Sequence, residues 1–168
     1  MKATIVIPNI TGKGWLKDSI ESVYAQTEQD FELIIVDNGS TDESLEQARS
    51  YCGRPNFTLI ENGTTTGFSH AVNQGIARAK GEYVVMFNND AFAEPNWLAE
   101  LIRTAETDPK IFAVQSLMLR HFERELADDA GDYVTWMGFA CKPGDGRRAS
   151  RYTKQQRLVS ACGGAALY

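Results

Sequence analysis

Gly81-Glu82-Tyr83-Val84-Val85-Met86-Phe87-Asn88-Asn89-Asp90 is an apolar run that stops abruptly in two amides and a carboxylate. An apolar run without alternation predicts a strand buried on both faces, as in a parallel sheet. In open α/β sheets, ligands bind at the carboxyl ends of strands. Asn88, Asn89 and Asp90 therefore fall where a ligand would be held. One anionic oxygen donor beside neutral hydrogen-bonding groups suits a divalent cation or a polyhydroxylated ligand.

The same alternation of strand and helix extends to both sides of this run. Residues 3–8 are a β-branched run, and Leu16, Ile20, Val23 and Tyr24 follow at helical spacing. Residues 31–36 predict a second strand that stops at Asp37-Asn38-Gly39-Ser40, a turn signal. A helix is expected to open near Thr41 or Asp42, with Asp42 as its cap and Leu45 and Ala48 on its apolar face. A short third strand spans 57–61, and 62–67 is a loop. Phe68, Ala71, Val72, Gly75, Ile76 and Ala79 form the next helical stripe, closed by Gly81 as a C-terminal glycine. Pro95 fits the first turn of a helix that buries Leu98, Leu101, Ile102 and Ala105, and Asp108-Pro109 ends it. Residues 111–119 predict a fifth strand.

Beyond Arg120 the periodicity weakens. Residues 128–152, with the apolar island Trp136-Met137-Gly138-Phe139, are expected to make a long excursion over the sheet edge containing a hairpin, and 157–168 a returning apolar run. The expected organisation is one domain over 1–168: βα units in 1–119, then an irregular excursion and a returning strand in 120–168. Serial βα units imply a parallel sheet with right-handed crossovers.

Composition narrows the partners. The chain has 168 residues, 43% of them hydrophobic, and a formal charge of -5. Nucleic acid is not expected as a partner, because binding it requires a basic face. The basic run Lys142, Arg147, Arg148, Arg151, Lys154 and Arg157 reads as a solvated loop. Cys52, Cys141 and Cys162 are widely spaced and odd in number, which suits reduced thiols in a cytoplasmic protein. His70 and His121 are too isolated to form a metal pair. The N-terminus reads as a strand rather than a signal sequence, and no apolar stretch approaches the ~20 residues that span a bilayer.

Three strand ends carry short polar groups: Pro8-Asn9, Asp37-Asn38 and Asn88-Asn89-Asp90. If these strands are neighbours, the ends converge on one crevice. The Gly-rich signatures of dinucleotide folds and P-loops are missing, as is the nucleophile elbow of hydrolases. Strand ends and a metal ion or helix N-termini must then hold an anionic ligand on an acidic protein.

Residues 5–9, 34–42, 67–76 and 81–90 resemble, in order and spacing, the nucleotide-sugar-binding half of family-2 inverting glycosyltransferases. The tail Ala161-Cys162-Gly163-Gly164-Ala165-Ala166-Leu167-Tyr168 resembles the rhamnosyltransferase-like branch of that family. The resemblance implies an α/β GT-A fold: a Rossmann-like, mostly parallel sheet flanked by helices, here truncated at its C-terminus. It implies a UDP- or dTDP-sugar donor, a saccharide or lipid-linked acceptor, Mg²⁺ or Mn²⁺, and a role in cell-wall polysaccharide synthesis. It also implies a cytoplasmic protein, at most peripheral at the inner face of the membrane.

Residue by residue, Asp90 matches the metal-binding carboxylate and Asn89 the position that contacts the nucleotide ribose or metal shell, with Asn88 among the nucleotide-sugar-binding residues. Asp37 matches the acceptor for the pyrimidine N–H, and Pro8 and Asn9 line the base pocket. Asn38 supports Asp37 or caps the following turn. Asn73 faces the donor or makes a structural hydrogen bond, and Thr65 and Thr66 precede a helix N-terminus that could approach phosphate. Val72 stands where relatives carry Arg, which shifts phosphate neutralisation toward the metal. The general base for the acceptor hydroxyl is expected downstream of Tyr168, so no catalytic residue is assigned. Asp128, Asp129 and Asp132 read as solvated loop charges. The chain alone is expected to bind nucleotide and metal but to transfer little sugar. A non-catalytic nucleotide-sugar-binding module is the competing expectation. A nucleotidyltransferase is only faintly suggested by residues 8–14.

Overall fold

The computed structural model describes residues 1–153 and 164–168. Its centre is a six-stranded sheet in the order β3 (Phe57–Glu61), β2 (Phe31–Asp37), β1 (Ala3–Asn9), β4 (Tyr83–Phe87), β10 (Ala165–Leu167) and β5 (Val114–Gln115). The four strands β1, β2, β3 and β4 run parallel, each joined to the next through a helix. These helices are α1 (Leu16–Tyr24), α2 (Ser44–Arg49) and α3 (Phe68–Ile76). After α4 (Trp97–Ala105) the pattern changes. The expected fifth strand over 111–119 is instead two short pieces, β5 (Val114–Gln115) and β6 (Met118–Leu119), in different sheets. β10 (Ala165–Leu167) enters antiparallel between β4 and β5.

One face of the sheet carries the main core. Ile5, Ile7, Leu33, Ile35, Val85 and Phe87 meet Leu16, Ile20 and Val23 of α1 and Leu98, Leu101 and Ile102 of α4. Fully burying one such side chain is worth about 1.5–3 kcal/mol. On the opposite face, among the described residues, Ile34, Val36 and Ile60 form a smaller buried cluster with Ala71 of α3. Val84 and Met86 point to that thinner side and are half-buried, so β4 is not buried on both faces as expected. Gly75 explains how α3 lies so close: a Cβ there would come 2.3 Å from Val6 Cγ1. The expected stripe on α3 is only partly inside. Ala71 and Gly75 are buried, whereas Phe68 is 65% and Ile76 43% exposed.

Gly81 has a role other than helix termination. The helix ends at Ile76, and a Cβ at Gly81 would lie 2.4 Å from the Ala3 carbonyl carbon. Its amide donates to Thr4 Oγ1 (2.9 Å), and the Lys80 amide donates to the buried Glu32 carboxylate (2.7 Å). This clamp fastens the start of β4 at the end of the sheet opposite the polar strand ends. Pro95 precedes α4 by two residues instead of sitting in its first turn, and its carbonyl accepts the Thr27 amide (2.8 Å).

The expected hairpin in the excursion is present. β8 (Tyr133–Val134) pairs with β9 (Ala140–Cys141), and its tip exposes Trp136, Met137 and Phe139. β6 pairs with β7 (Ala127–Asp129), and a short 3-10 turn covers Ala149–Arg151. Arg147, Arg148 and Arg151 are exposed, and Lys142 pairs with Asp128; Lys154 and Arg157 lie outside the described residues. Cys52 and Cys141 are free thiols, and Cys162 lies outside the described residues. Among the described residues no helix is long and apolar enough to cross a membrane.

Candidate functional site

Because β2, β1 and β4 are adjacent and parallel, their C-terminal ends meet at one edge of the sheet. The three polar ends are joined by side-chain hydrogen bonds. Asn9, 1% exposed, donates through Nδ2 to Asp37 Oδ1 (3.0 Å), Ser40 Oγ (3.0 Å) and Ser44 Oγ (3.1 Å). Its Oδ1 accepts from Asn89 Nδ2 (2.8 Å). Gly12 packs over this last bond: a Cβ there would be 2.4 Å from Asn9 Oδ1 and 2.8 Å from Asn89 Nδ2. Pro8 continues β1 one residue earlier and is half-buried.

Asp37 is also 1% exposed and is saturated from within the chain. Besides Asn9, its oxygens accept from Ser40 Oγ (2.5 Å) and from the amides of Gly39 (3.2 Å) and Ser40 (3.1 Å). A carboxylate offers about four lone-pair sites, and these four donors fill them. Asn38 is equally occupied. Its Oδ1 accepts from the Thr66 amide (3.0 Å), Thr66 Oγ1 (2.8 Å) and Asn62 Nδ2 (3.2 Å). Asn38 thus anchors the 62–67 loop, which also rests on Gly39. Gly39 has φ +85°, and a Cβ there would fall 2.6 Å from the Thr64 carbonyl carbon.

The fourth strand end is more open. Asn88 is half-buried, and its amide donates to the Gly164 carbonyl (3.0 Å). Gly164 leaves room for the Asn88 side chain, whose Nδ2 would be 2.2 Å from a Cβ there. Asp90 is exposed and has no hydrogen-bond or ion-pair partner among the described residues, where no group of three or more His, Cys, Asp or Glu gathers. Asn73 is exposed on α3 and takes no part in the Asn9–Asp37–Asn89 cluster.

Asp42 stands just before α2 rather than at its immediate cap position. It accepts from the Ser44 amide (3.1 Å), Ser44 Oγ (2.5 Å) and the Lys13 amide (2.8 Å). Burial alone would raise its pKa, but these hydrogen bonds to the ionised form outweigh it and hold the carboxyl below its ordinary range. The late carboxylates are not uniformly solvated, contrary to expectation. Asp129 is 4% exposed and accepts the Gly131 amide (2.8 Å). Burial, and then the charge of Asp129, raise the pKa of Asp132.

One feature of this rim has no sequence signal. Trp15, Phe92 and His121 gather into a cluster, with ring centroids 5.2–6.1 Å apart. They come from three separate connections, and Phe92 lies two residues beyond Asp90. The Glu94–Arg124 ion pair ties the last connection to the β4–α4 loop.

Comparison with known proteins fits this geometry. The model of the family described as glycosyl transferase family 2 matches residues 4–168. A cholesterol galactosyltransferase of Borreliella burgdorferi is 32% identical over 107 residues, 64% of this chain and 30% of that protein. A glucosyl-dolichyl phosphate glucuronosyltransferase of Haloferax volcanii is 30% identical over 116 residues, 68% of this chain and 37% of that protein. Among solved structures, a mannosyltransferase of Pyrobaculum calidifontis in complex with GDP-Man and Mn²⁺ superposes with a TM-score of 0.64 at 26% identity, covering 70% of this chain and 35% of that one. TarS 1–349 of S. aureus in complex with UDP, at 22% identity and a TM-score of 0.58, shares the fold; 63% of this chain and 32% of that one are covered. The chain therefore spans about a third of the length of these relatives.

Proposed function

The chain belongs to glycosyl transferase family 2 and has the GT-A fold, and from that premise we propose that its strand-end crevice is the donor site of an inverting sugar transfer. The donor is a UDP- or dTDP-sugar and the acceptor a saccharide or lipid-linked saccharide of the cell wall. The resemblance of the tail to the rhamnosyltransferase-like branch makes a dTDP-linked deoxyhexose the first donor to try.

The observation that carries this reading is Asp90. It is an exposed, unpartnered carboxylate among the described residues, beside Asn88, held by its backbone N–H to Gly164, and Asn89, held by its side chain to Asn9. A single carboxylate completed by donor phosphates and water is how Mg²⁺ is commonly held, so the residues present fit Mg²⁺ or Mn²⁺. Such a cation, when bound, neutralises the charge that builds on the departing nucleoside diphosphate. Asn88 and Asn89 orient the ribose beside it, and Pro8 lines the base. Asp37 selects the base only if one of its four donors gives way. The Ser40 hydroxyl is the one that can rotate aside. Asn73 faces the donor from α3, and the acceptor's proton is taken by a base outside the crevice.

Titration calorimetry with UDP, dTDP and GDP, with and without Mn²⁺, tests this proposal. The expected result is nucleotide binding that Mn²⁺ strengthens, an increment that Asp90→Ala removes. An equal Mn²⁺ increment in Asp90→Ala refutes the metal role. No binding of any of the three by the wild-type chain refutes the donor site.

A further inference from the structure

The hydrogen bonds around Asn9 have a direction. Ser40 Oγ donates its proton to Asp37, and Ser44 Oγ donates its proton to Asp42. Both hydroxyls therefore turn lone pairs toward Asn9, as the Asp37 carboxylate does. All three atoms within 3.0–3.1 Å of Asn9 Nδ2 are acceptors. The reverse amide orientation would set an oxygen against three oxygens, so the NH₂ group must face Asp37. Asn9 Oδ1 is thereby turned toward Asn89 and can only accept. Asn89 must answer with its own NH₂, which leaves Asn89 Oδ1 on the far side of its amide. That oxygen has no partner among the described residues, and it is not among their buried unpartnered atoms.

We propose that Asn9 is a positioning residue that carries the acceptor character of Asp37 and Asp42 across β1 to β4, fixing Asn89 Oδ1 outward as a second oxygen ligand beside Asp90. This inference rests on the donor-site reading and deepens it. The strand end then presents one charged and one neutral hard oxygen, a set that takes a divalent cation or a ligand hydroxyl and rejects a carbonyl or phosphate oxygen at Asn89. Gly12 lies against both partners of the Asn9–Asn89 bond, where a Cβ would clash with each. Residues that orient a ligand through a second hydrogen bond typically change metal affinity about 10–100-fold when lost.

Two variants and one measurement on the wild type test the relay. Asn9→Leu removes the instruction to Asn89. The paired exchange Asn9→Asp with Asp37→Asn moves the carboxylate one strand over but still offers Asn89 only an acceptor. Calorimetry of UDP with and without Mn²⁺ reads the metal-dependent increment. Read as the ratio of affinities with and without Mn²⁺, it should fall about 10-fold or more in Asn9→Leu and recover in the exchange, although Asp37→Asn weakens UDP binding in both arms. Equal loss in both, tracking their melting temperatures, would mean that Asn9 is merely structural and would overturn the proposal. Side-chain amide NMR of the wild type needs neither nucleotide nor variant. The Asn89 NH₂ protons should exchange with water more slowly than those of the exposed Asn73. Equal exchange overturns the relay even if nucleotide binds. Slow exchange without nucleotide binding leaves the Asn9–Asn89 bond standing and overturns the donor site.

Discussion

Gly12 and Gly39 are small for different reasons, and each reason predicts a different failure. Gly12 lies against side chains, so Gly12→Ala must push apart Asn9 and Asn89. Overpacking of this kind costs about 1–3 kcal/mol, and the same substitution should speed exchange of the Asn89 amide protons. Gly39 lies against backbone in a left-handed conformation. Gly39→Ala adds about 1–2 kcal/mol of conformational strain to a clash that the 62–67 loop must relieve by moving. Urea denaturation should show both losses, and protease cleavage within 62–67 should rise only for Gly39→Ala. The sequence shows that Asn9, Asp37 and Asn89 stand at strand ends, because apolar runs stop there, and the sheet order makes those strands neighbours. That they bond to one another is not legible, since it depends on which amide atom faces which carboxylate. The aromatic gathering of Trp15, Phe92 and His121 is likewise silent, because no fixed spacing joins its three segments.

At the scale of elements, the first four strands and their helices were readable because each stretch has one clear period and a polar stop. The reading failed where an apolar pattern serves two partners. Residues 111–119 look like one strand, yet Val114 and Gln115 pair with β10 whereas Met118 and Leu119 pair with β7. Ser116 lies in the break between them. It accepts from Trp97 Nε1 (2.6 Å) and donates to the Ala165 carbonyl (2.8 Å). Near α2, the Asp42 carboxylate joins Lys13 to Ser44. Because its folded pKa lies below the ordinary 3.8, it stabilises the fold above that value, and the stabilisation is lost as pH falls through the lowered folded pKa. Asp42→Asn keeps an acceptor without the charge. Its melting temperature should decline less than that of wild type as the pH is lowered below about 4.

Across the whole molecule, the sheet is joined by its last strand. Ala165, Ala166 and Leu167 are each no more than 4% exposed, and they bond to β4 on one side and β5 on the other. Leu167→Ala should destabilise the protein by about 2–5 kcal/mol in chemical denaturation, as much as a change near the chain's first core strand. A variant ending before Gly164 should expose the edge of β4 and lose the Asn88–Gly164 bond, which links the state of the sheet to the shape of the crevice.

The position of β10 also dictates an order of events during synthesis. A ribosome releases the strands in the sequence β1 to β5, and these can pair or pack while the chain is still growing. The slot between β4 and β5 cannot close until residues 165–167 emerge. For that interval β4 presents open backbone groups and half-covered Val84 and Met86, a template for pairing with another nascent chain. The contact between β10 and β4 joins residues about 80 positions apart, Ala165 with Phe87, so its formation is slow relative to the local βα units.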